Sequence, residues 1–275
     1  MRLSRSAALV AVAVTLVLAG CGRSASGSQT SLTVTGSTTV MPIAEVAATE
    51  FEAANPGKRV LVSGIGSSAG IEAVTKGTCD IGTSSRDLKP EEKSLGLVDI
   101  KIALDAIAVI VNPSNPVTGL TKAQVSDIFQ GKIKNWKEVG GPDLEIGLVN
   151  RDEASGTREA FSKFVLGTAD FDPAAAVLPG TGQVRSVVAQ ASGAIGYISL
   201  GFVDPSVKAL AIDGIPANET TVGNGTYPLS RYLHFLTKGE PTGLAKAYID
   251  FVLSPKIQES VVRDAGFLPV AEGGK

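Results

Sequence analysis

Leu32-Thr33-Val34-Thr35-Gly36-Ser37-Thr38-Thr39-Val40-Met41-Pro42 opens the folded part of the chain and sets its pattern. Leu32–Thr35 reads as a short β-strand. Gly36-Ser37-Thr38-Thr39 is a turn of small and hydroxyl residues. Pro42 starts a helix that runs to Ala54, at a first-turn position where a missing N–H costs nothing. The same unit then recurs. Arg59–Ser63 is a strand, Gly64-Ile65-Gly66-Ser67-Ser68 a turn, and Ala69–Lys76 a helix. Asp80–Thr83 is a strand that runs into Ser84-Ser85-Arg86. Glu145–Val149 is a strand joined by Arg151-Asp152-Glu153-Ala154-Ser155 to a helix over Gly156–Leu166.

Further along, Ile100–Asn112 is a long apolar run rich in β-branched residues, with one acid, Asp105, and reads as a strand. Thr121-Lys122-Ala123-Gln124 is a capping box that opens a helix to Gln130. Gly182–Gln190 is helical, Ala194–Ile198 a strand, Lys208–Ile212 an edge strand and Pro228–Leu236 a strand. Two helices, Gly243–Leu253 and Pro255–Ala265, end the chain. Alternation of strands and helices predicts an α/β fold with parallel sheets.

The chain has 275 residues, 44% of them hydrophobic and 19% charged, too apolar for a disordered protein and too long for one small core. Two lobes are expected, with lobe 1 at 32–108 plus 225–275 and lobe 2 at 112–224. They would be joined by hinge strands crossing near Asn112 and Gly225. Lys and Arg number 25 against 27 acids, which excludes a basic nucleic-acid footprint. Two cysteines exclude a disulfide scaffold, and one histidine leaves little for a metal site.

Arg2 and Arg5 precede a thirteen-residue uncharged stretch, Ala7–Ala19, too short for a bilayer core of about 30 Å. Residues 1–20 read as a secretory signal that ends at Leu18-Ala19-Gly20-Cys21, a lipobox pattern with Cys21 as the lipidated residue. Residues 21–31 form a small, polar tether. Cleavage removes two arginines and no acid, leaving 23 basic and 27 acidic residues, a net charge of −4. Cys79 is then the remaining thiol, expected in the core.

Each turn places free backbone N–H groups and short hydroxyls at the C-terminal edge of a strand, where open α/β sheets bind ligands. Helix N-termini favour anions, and Arg151 adds a planar fork suited to an oxyanion. One such turn is ordinary N-capping; four of them with an arginine point to a small-oxyanion site. No phosphate loop of the nucleotide-hydrolase kind is present. Gly66-Ser67-Ser68-Ala69-Gly70 fits a nucleophile-elbow pattern, but a triad would depend on His234, the single histidine, so a hydrolase is disfavoured.

At these residues the chain resembles the substrate-binding proteins of bacterial phosphate ABC transporters, the PstS family. The resemblance rests on Thr35–Val40, Gly66–Gly70, Asp80–Arg86 and Val109–Asn112. It continues through Gly131–Trp136, Arg151–Arg158, Gly193–Tyr197 and Gly239–Gly243. It implies a two-lobed, type II periplasmic-binding-protein fold that closes on one phosphate without catalysis or cofactor. It further implies a monomer, anchored by lipid on the extracytoplasmic face of the cell membrane, that delivers phosphate to ABC permease subunits. Another oxyanion (sulfate or molybdate), or a permease-independent phosphate sensor or scavenger, is the alternative.

Carried over by position, Thr38, Thr39 and Ser67 would donate from lobe 1, and Arg151, Ser155, Gly156 and Thr157 from lobe 2. Glu153 would hold the arginine. Longer family members have an aspartate, which accepts the proton of hydrogen phosphate, where this chain has Ser85, itself expected among the phosphate-binding residues. Asp105, flanked by apolar residues, is the candidate to take over that role; pairing with Arg86 or Arg151 is the alternative. Glu91, Glu92 and Lys93 read as a solvated helix face.

Overall fold

The computed structural model describes residues 29–270. The signal, Cys21 and most of the tether lie outside the described residues. Among the described residues there are eleven strands: β1 (Ser31–Gly36), β2 (Arg59–Gly64), β3 (Ile81–Ser84), β4 (Leu97–Val111), β5 (Gly119–Leu120), β6 (Gly147–Arg151), β7 (Ala176–Leu178), β8 (Ala194–Ser199), β9 (Lys208–Ala209), β10 (Ala211–Ile212) and β11 (Ser230–Lys238). The helices are α1 (Met41–Ala54), α2 (Ser67–Lys76), α3 (Pro90–Lys93), α4 (Lys122–Phe129), α5 (Gly156–Phe161), α6 (Thr181–Gln190), α7 (Glu219–Gly223), α8 (Gly243–Val252) and α9 (Pro255–Ile257).

The strands run in the order β2-β1-β3-β11-β4-β8-β6-β7, with β9 also on β4, and β10 pairs β5 separately. The outer strands are parallel: β1 with β2 and β3, and β6 with β8 and β7. The middle is antiparallel, because β11 pairs both β3 and β4, and β4 pairs β8. The expected all-parallel arrangement is therefore corrected to a mixed sheet. Strand–helix alternation builds each flank, but the long middle strands β4 and β11 come from distant parts of the chain and pair antiparallel.

β4 carries both lobes. Leu97–Ala106 pairs with β11, and Ile107–Val111 pairs with β8. The Ile107 N–H donates to the Leu229 carbonyl at 2.9 Å where the returning chain crosses. One core is built from both ends of the chain: Leu32, Val34, Ile43, Phe51, Ile81, Phe235 and Tyr248 pack together. The middle of the chain makes another, in which Phe129, Trp136, Phe161 and Tyr197 are buried. The Phe161 and Tyr197 rings stack with centroids 4.1 Å apart. This is the two-lobed α/β architecture the alternating units imply, with β4 and β11 spanning the crossing.

Several local readings hold. Thr121 accepts from the Gln124 N–H and Gln124 reaches back to Thr121, as the capping box requires. Cys79 is buried beside Ile71, Val74, Leu88 and Leu236. Others are corrected. The Lys208–Ile212 segment breaks at Leu210 into β9 and β10, which pair with different strands. The helices expected over Gly156–Leu166 and Pro255–Ala265 each change to a π-helical turn, at Ser162–Leu166 and Gln258–Val262.

Candidate functional site

The turns after β1, β2, β3 and β6 converge on one small, tightly closed cavity. Thr38, Thr39, Ser67 and Ser85 line it from one lobe, and Arg151, Ser155, Gly156 and Thr157 from the other. Ser37 and Gly66 join them without having been singled out as ligands. Of the nine residues expected to bind, Asp105 alone is not in the lining.

Local structure explains the convergence. Ser37 N–H donates to Thr83 Oγ1 at 2.7 Å, which ties the first turn to the end of β3. Asp80 accepts from both the N–H and the hydroxyl of Thr33, each at 2.7 Å, and so staples β3 to β1. Ser67 begins α2 and Gly156 begins α5, so their N–H groups have no carbonyl to bond within their own helices. Ser155 caps α5 by accepting from the Arg158 N–H at 3.1 Å. Its own proton stays available to the cavity.

The lobes meet here. Thr39 and Thr157 hydroxyls lie 3.1 Å apart, Ser85 and Thr157 3.4 Å, and Thr38 and Thr181 3.2 Å. Ser68 N–H donates to the Ala154 carbonyl at 3.1 Å. Close approach requires glycine at two places. Gly66 has φ +98°, and a Cβ there would sit 2.7 Å from Ala154. A Cβ on Gly156 would sit 2.3 Å from Ser67 Oγ.

Arg151 is the electrostatic centre. It is buried, with Nε donating to the Leu178 carbonyl at 3.1 Å and Nη2 to the Pro179 carbonyl at 2.8 Å. Its remaining donors reach Thr181 Oγ1 at 3.2 Å and Thr38 Oγ1 at 3.3 Å. Glu153, expected to hold it, is exposed and makes no ion pair with it. Main-chain carbonyls do that work instead. Burial pushes the guanidinium pKa down; the nearby Asp152 charge opposes this, and Arg231 adds to it. Behind it, Asn150 Oδ1 accepts from the Arg151 N–H at 2.8 Å and from the Tyr197 hydroxyl. Among the described residues no carboxylate forms an ion pair with Arg151, so a buried cation faces a cavity of hydroxyl and amide donors.

Asp105 is corrected. It is buried as expected, but its oxygens are taken by Arg231 Nε and Nη2, at 3.0 and 2.9 Å, and by Ser199 Oγ at 2.7 Å. Burial raises the Asp105 pKa and lowers that of Arg231, while their mutual contact opposes both. Neither Arg86 nor Arg151 is its partner. Arg231 then donates through Nη1 to Thr157 Oγ1 at 3.0 Å, so Asp105 touches the cavity only at second hand. Sequence reasoning missed Arg231 and Thr181. A lone arginine within Ser230–Leu236, and the small-residue turn Gly180-Thr181-Gly182, were the available signals.

Beside the cavity, Glu159 of α5 reaches across to the other lobe. It pairs with Arg86 at 2.8 Å and Lys89 at 2.9 Å, and accepts from Ser68 Oγ at 2.8 Å. Ser68 is thus engaged with Glu159 rather than with a histidine. His234 instead lies 2.6 Å from Asp99, so the nucleophile-elbow pattern has no triad. Glu92, read as part of a solvated face, is largely buried and pairs with Arg86 at 2.6 Å.

The PBP superfamily domain matches residues 23–256. The phosphate-binding protein PstS of Bacillus subtilis is 38% identical, over 96% of this chain and 93% of its own length. The phosphate-binding protein PstS of Borreliella burgdorferi is 31% identical, over 87% and 90%. A crystal structure from Clostridium perfringens, assigned as a phosphate ABC transporter substrate-binding protein and holding bound phosphate, superposes with a TM-score of 0.84. It is 40% identical and covers 88% of this chain and 100% of its own.

Proposed function

Because the chain belongs to the PBP superfamily, within the family of PstS-like substrate-binding proteins, we propose that it binds inorganic phosphate with high affinity outside the cytoplasm and delivers it to an ABC-type import permease. The observation that carries this is Arg151, a buried guanidinium with no carboxylate partner among the described residues, beside a small cavity lined by hydroxyls and helix-start amides. A tetrahedral oxyanion supplies the missing negative charge and accepts several charge-assisted hydrogen bonds at once. The names of the relatives favour phosphate over sulfate or molybdate.

Binding involves no reaction. Thr38, Thr39, Ser67 and Ser85 receive the anion from one lobe; Arg151, Ser155, Gly156 and Thr157 close on it from the other. Ligand contacts from both lobes favour the closed arrangement. That form is the one a permease would accept. Cys21 carries the lipid that holds the protein at the membrane, and the tether of residues 21–31 lets it reach its partner.

Calorimetric titration with phosphate, sulfate and molybdate tests the ligand. One phosphate per chain, bound well ahead of the other two, is the expected result; equal or tighter sulfate or molybdate binding would replace the reading. Phosphate uptake by membrane vesicles with and without the protein tests delivery. Binding without stimulated uptake would mark a sensor or scavenger instead. Replacing Cys21 with alanine should release the protein from the membrane fraction.

A further inference from the structure

A guanidinium carries five N–H groups, and the protein itself receives four of those on Arg151. Nε donates to the Leu178 carbonyl and Nη2 to the Pro179 carbonyl, at 3.1 and 2.8 Å. Nη2 also reaches Thr38 Oγ1 at 3.3 Å, and Nη1 reaches Thr181 Oγ1 at 3.2 Å. One Nη1 N–H is left for the cavity that Arg151 lines. Leu178, Pro179 and Thr181 lie together where β7 runs into α6, so this connection forms a collar around the guanidinium. Two contacts in the collar are main-chain carbonyls. The third is the Thr181 side chain, and it holds the nitrogen that keeps a donor for the ligand.

Thr181 is firmly placed for this. It is fully buried and begins α6, whose Val184 and Val188 pack in a core of lobe 2. Its hydroxyl serves the site rather than its own helix. The oxygen accepts from Arg151, which sends the hydroxyl proton toward lobe 1, where Thr38 Oγ1 lies 3.2 Å away and Thr39 Oγ1 3.3 Å. Thr38 and Thr39 line the cavity, and Thr181 stands behind them, outside the lining. One hydroxyl thus joins the arginine of lobe 2 to the first donor turn of lobe 1, and does so only when the lobes are together.

We infer that Thr181 is a positioning residue for the anion: it fixes which Arg151 N–H the ligand receives and ties that arrangement to the closed form through Thr38 and Thr39. This rests on the phosphate reading above. The consequence is kinetic. The cross-lobe contacts of Thr181 are absent while the anion enters an open cleft and present once it is held, so its hydroxyl sets the dissociation rate rather than the association rate.

The test compares the wild-type chain with Thr181→Val, which removes the hydroxyl at similar shape, and Thr181→Ser, which keeps it. Inorganic phosphate is the probe, in titration calorimetry and stopped-flow binding, with thermal melts of the ligand-free proteins. Thr181→Val should weaken phosphate about tenfold, the loss of one hydrogen bond to a charged group, through faster dissociation with association within about twofold. Thr181→Ser should bind within about twofold of the wild type, and both variants should melt with it. In an Arg151→Met background, Thr181→Val should cost at most about twofold, because the hydroxyl acts through the arginine. If Thr181→Val does not fold, Thr181→Ala carries the same expectations. Wild-type affinity without the hydroxyl, an equal loss in Thr181→Ser, a loss confined to association, or the full tenfold loss repeated without Arg151 would each overturn the assignment while phosphate binding by the wild type stands. A folded wild-type chain that bound no phosphate would overturn the phosphate reading itself, and this inference with it.

Discussion

Gly156→Ala places one methyl group at the point where the lobes meet. Its Cβ would lie 2.3 Å from Ser67 Oγ, 2.7 Å from Ser67 Cβ and 3.0 Å from Ser85 Oγ. Ser67 cannot simply turn aside. Its Oγ accepts from the Ser85 N–H, and its own Cβ is among the obstructing atoms. Ordinary contact begins near 3.4 Å, so the lobes must stay about 1 Å further apart at this point. Overpacking of this kind costs about 1–3 kcal/mol, and here the cost falls on the closed form. In an opened form residue 156 moves away from Ser67, and alanine at the first position of a helix carries no penalty. Phosphate affinity should therefore fall about 5- to 150-fold while the melting temperature of the ligand-free protein stays unchanged. Titration calorimetry gives the first quantity and scanning calorimetry without ligand the second. A variant that bound phosphate within about twofold of the wild type would refute the reasoning, because the start of α5 would then not seat against Ser67 when ligand is held.

Three further outcomes follow from the geometry. Arg151→Met should cut phosphate affinity by more than about 100-fold, yet leave the ligand-free protein as stable or more so, since a buried charge without a counter-charge is removed; affinity and melting temperature measured on the same sample check both signs. Glu159→Gln loses the cross-lobe pairs to Arg86 and Lys89 and should weaken phosphate about 3- to 10-fold, with fluorescence titration as the measurement. Burial pushes the Cys79 thiol up to about 11, so iodoacetamide at pH 8 should leave the native protein unmodified and label it once unfolded. The sign for stability follows: a raised folded-state value leaves stability untouched below the unfolded thiol's pKa and erodes it as pH climbs toward 11.

The repeated strand–turn–helix units were legible because each is local. Apolar residues, then glycine and hydroxyl residues, then a helix start follow within a dozen positions, as in Leu32–Pro42. The turns that hold Thr38, Thr39, Ser67, Arg151 and Thr157 could be picked out for the same reason, and the family resemblance then singled out those residues. What escaped depends on pairing between distant strands. The burial of Asp105 could be read from Leu104, Ala106 and Ile107, but its partner could not. Arg231 stands opposite Asp105 in the β4–β11 register, a relation that a sequence separation of 126 conceals. The antiparallel centre of the sheet was hidden likewise, since an apolar strand looks alike in either direction. Glu153 shows the converse error: an acid two residues from Arg151 in sequence points to solvent, and two carbonyls from the approach to α6 hold the arginine instead.

The balance of charge explains why an anion would close the lobes rather than merely occupy them. A chain with a net charge of −2 does not draw phosphate from a distance, so attraction must come from donors within hydrogen-bonding range. Closure shields Arg151 from water, and the lobes supply it with carbonyl and hydroxyl oxygens but no full negative charge. Without an anion that desolvation is uncompensated and works against the closed form; the Glu159 pairs across the lobes offset part of it. With a dianion in the cavity the same low-dielectric surroundings strengthen each N–H and O–H contact. Salt bears on this directly. Raising ionic strength should weaken the exposed Lys89–Glu159 contact more than the buried Arg151 contacts, so phosphate affinity should decline only modestly. A steep decline, measured by titration across salt concentrations, would place the main attraction at the surface and contradict the buried-cation account.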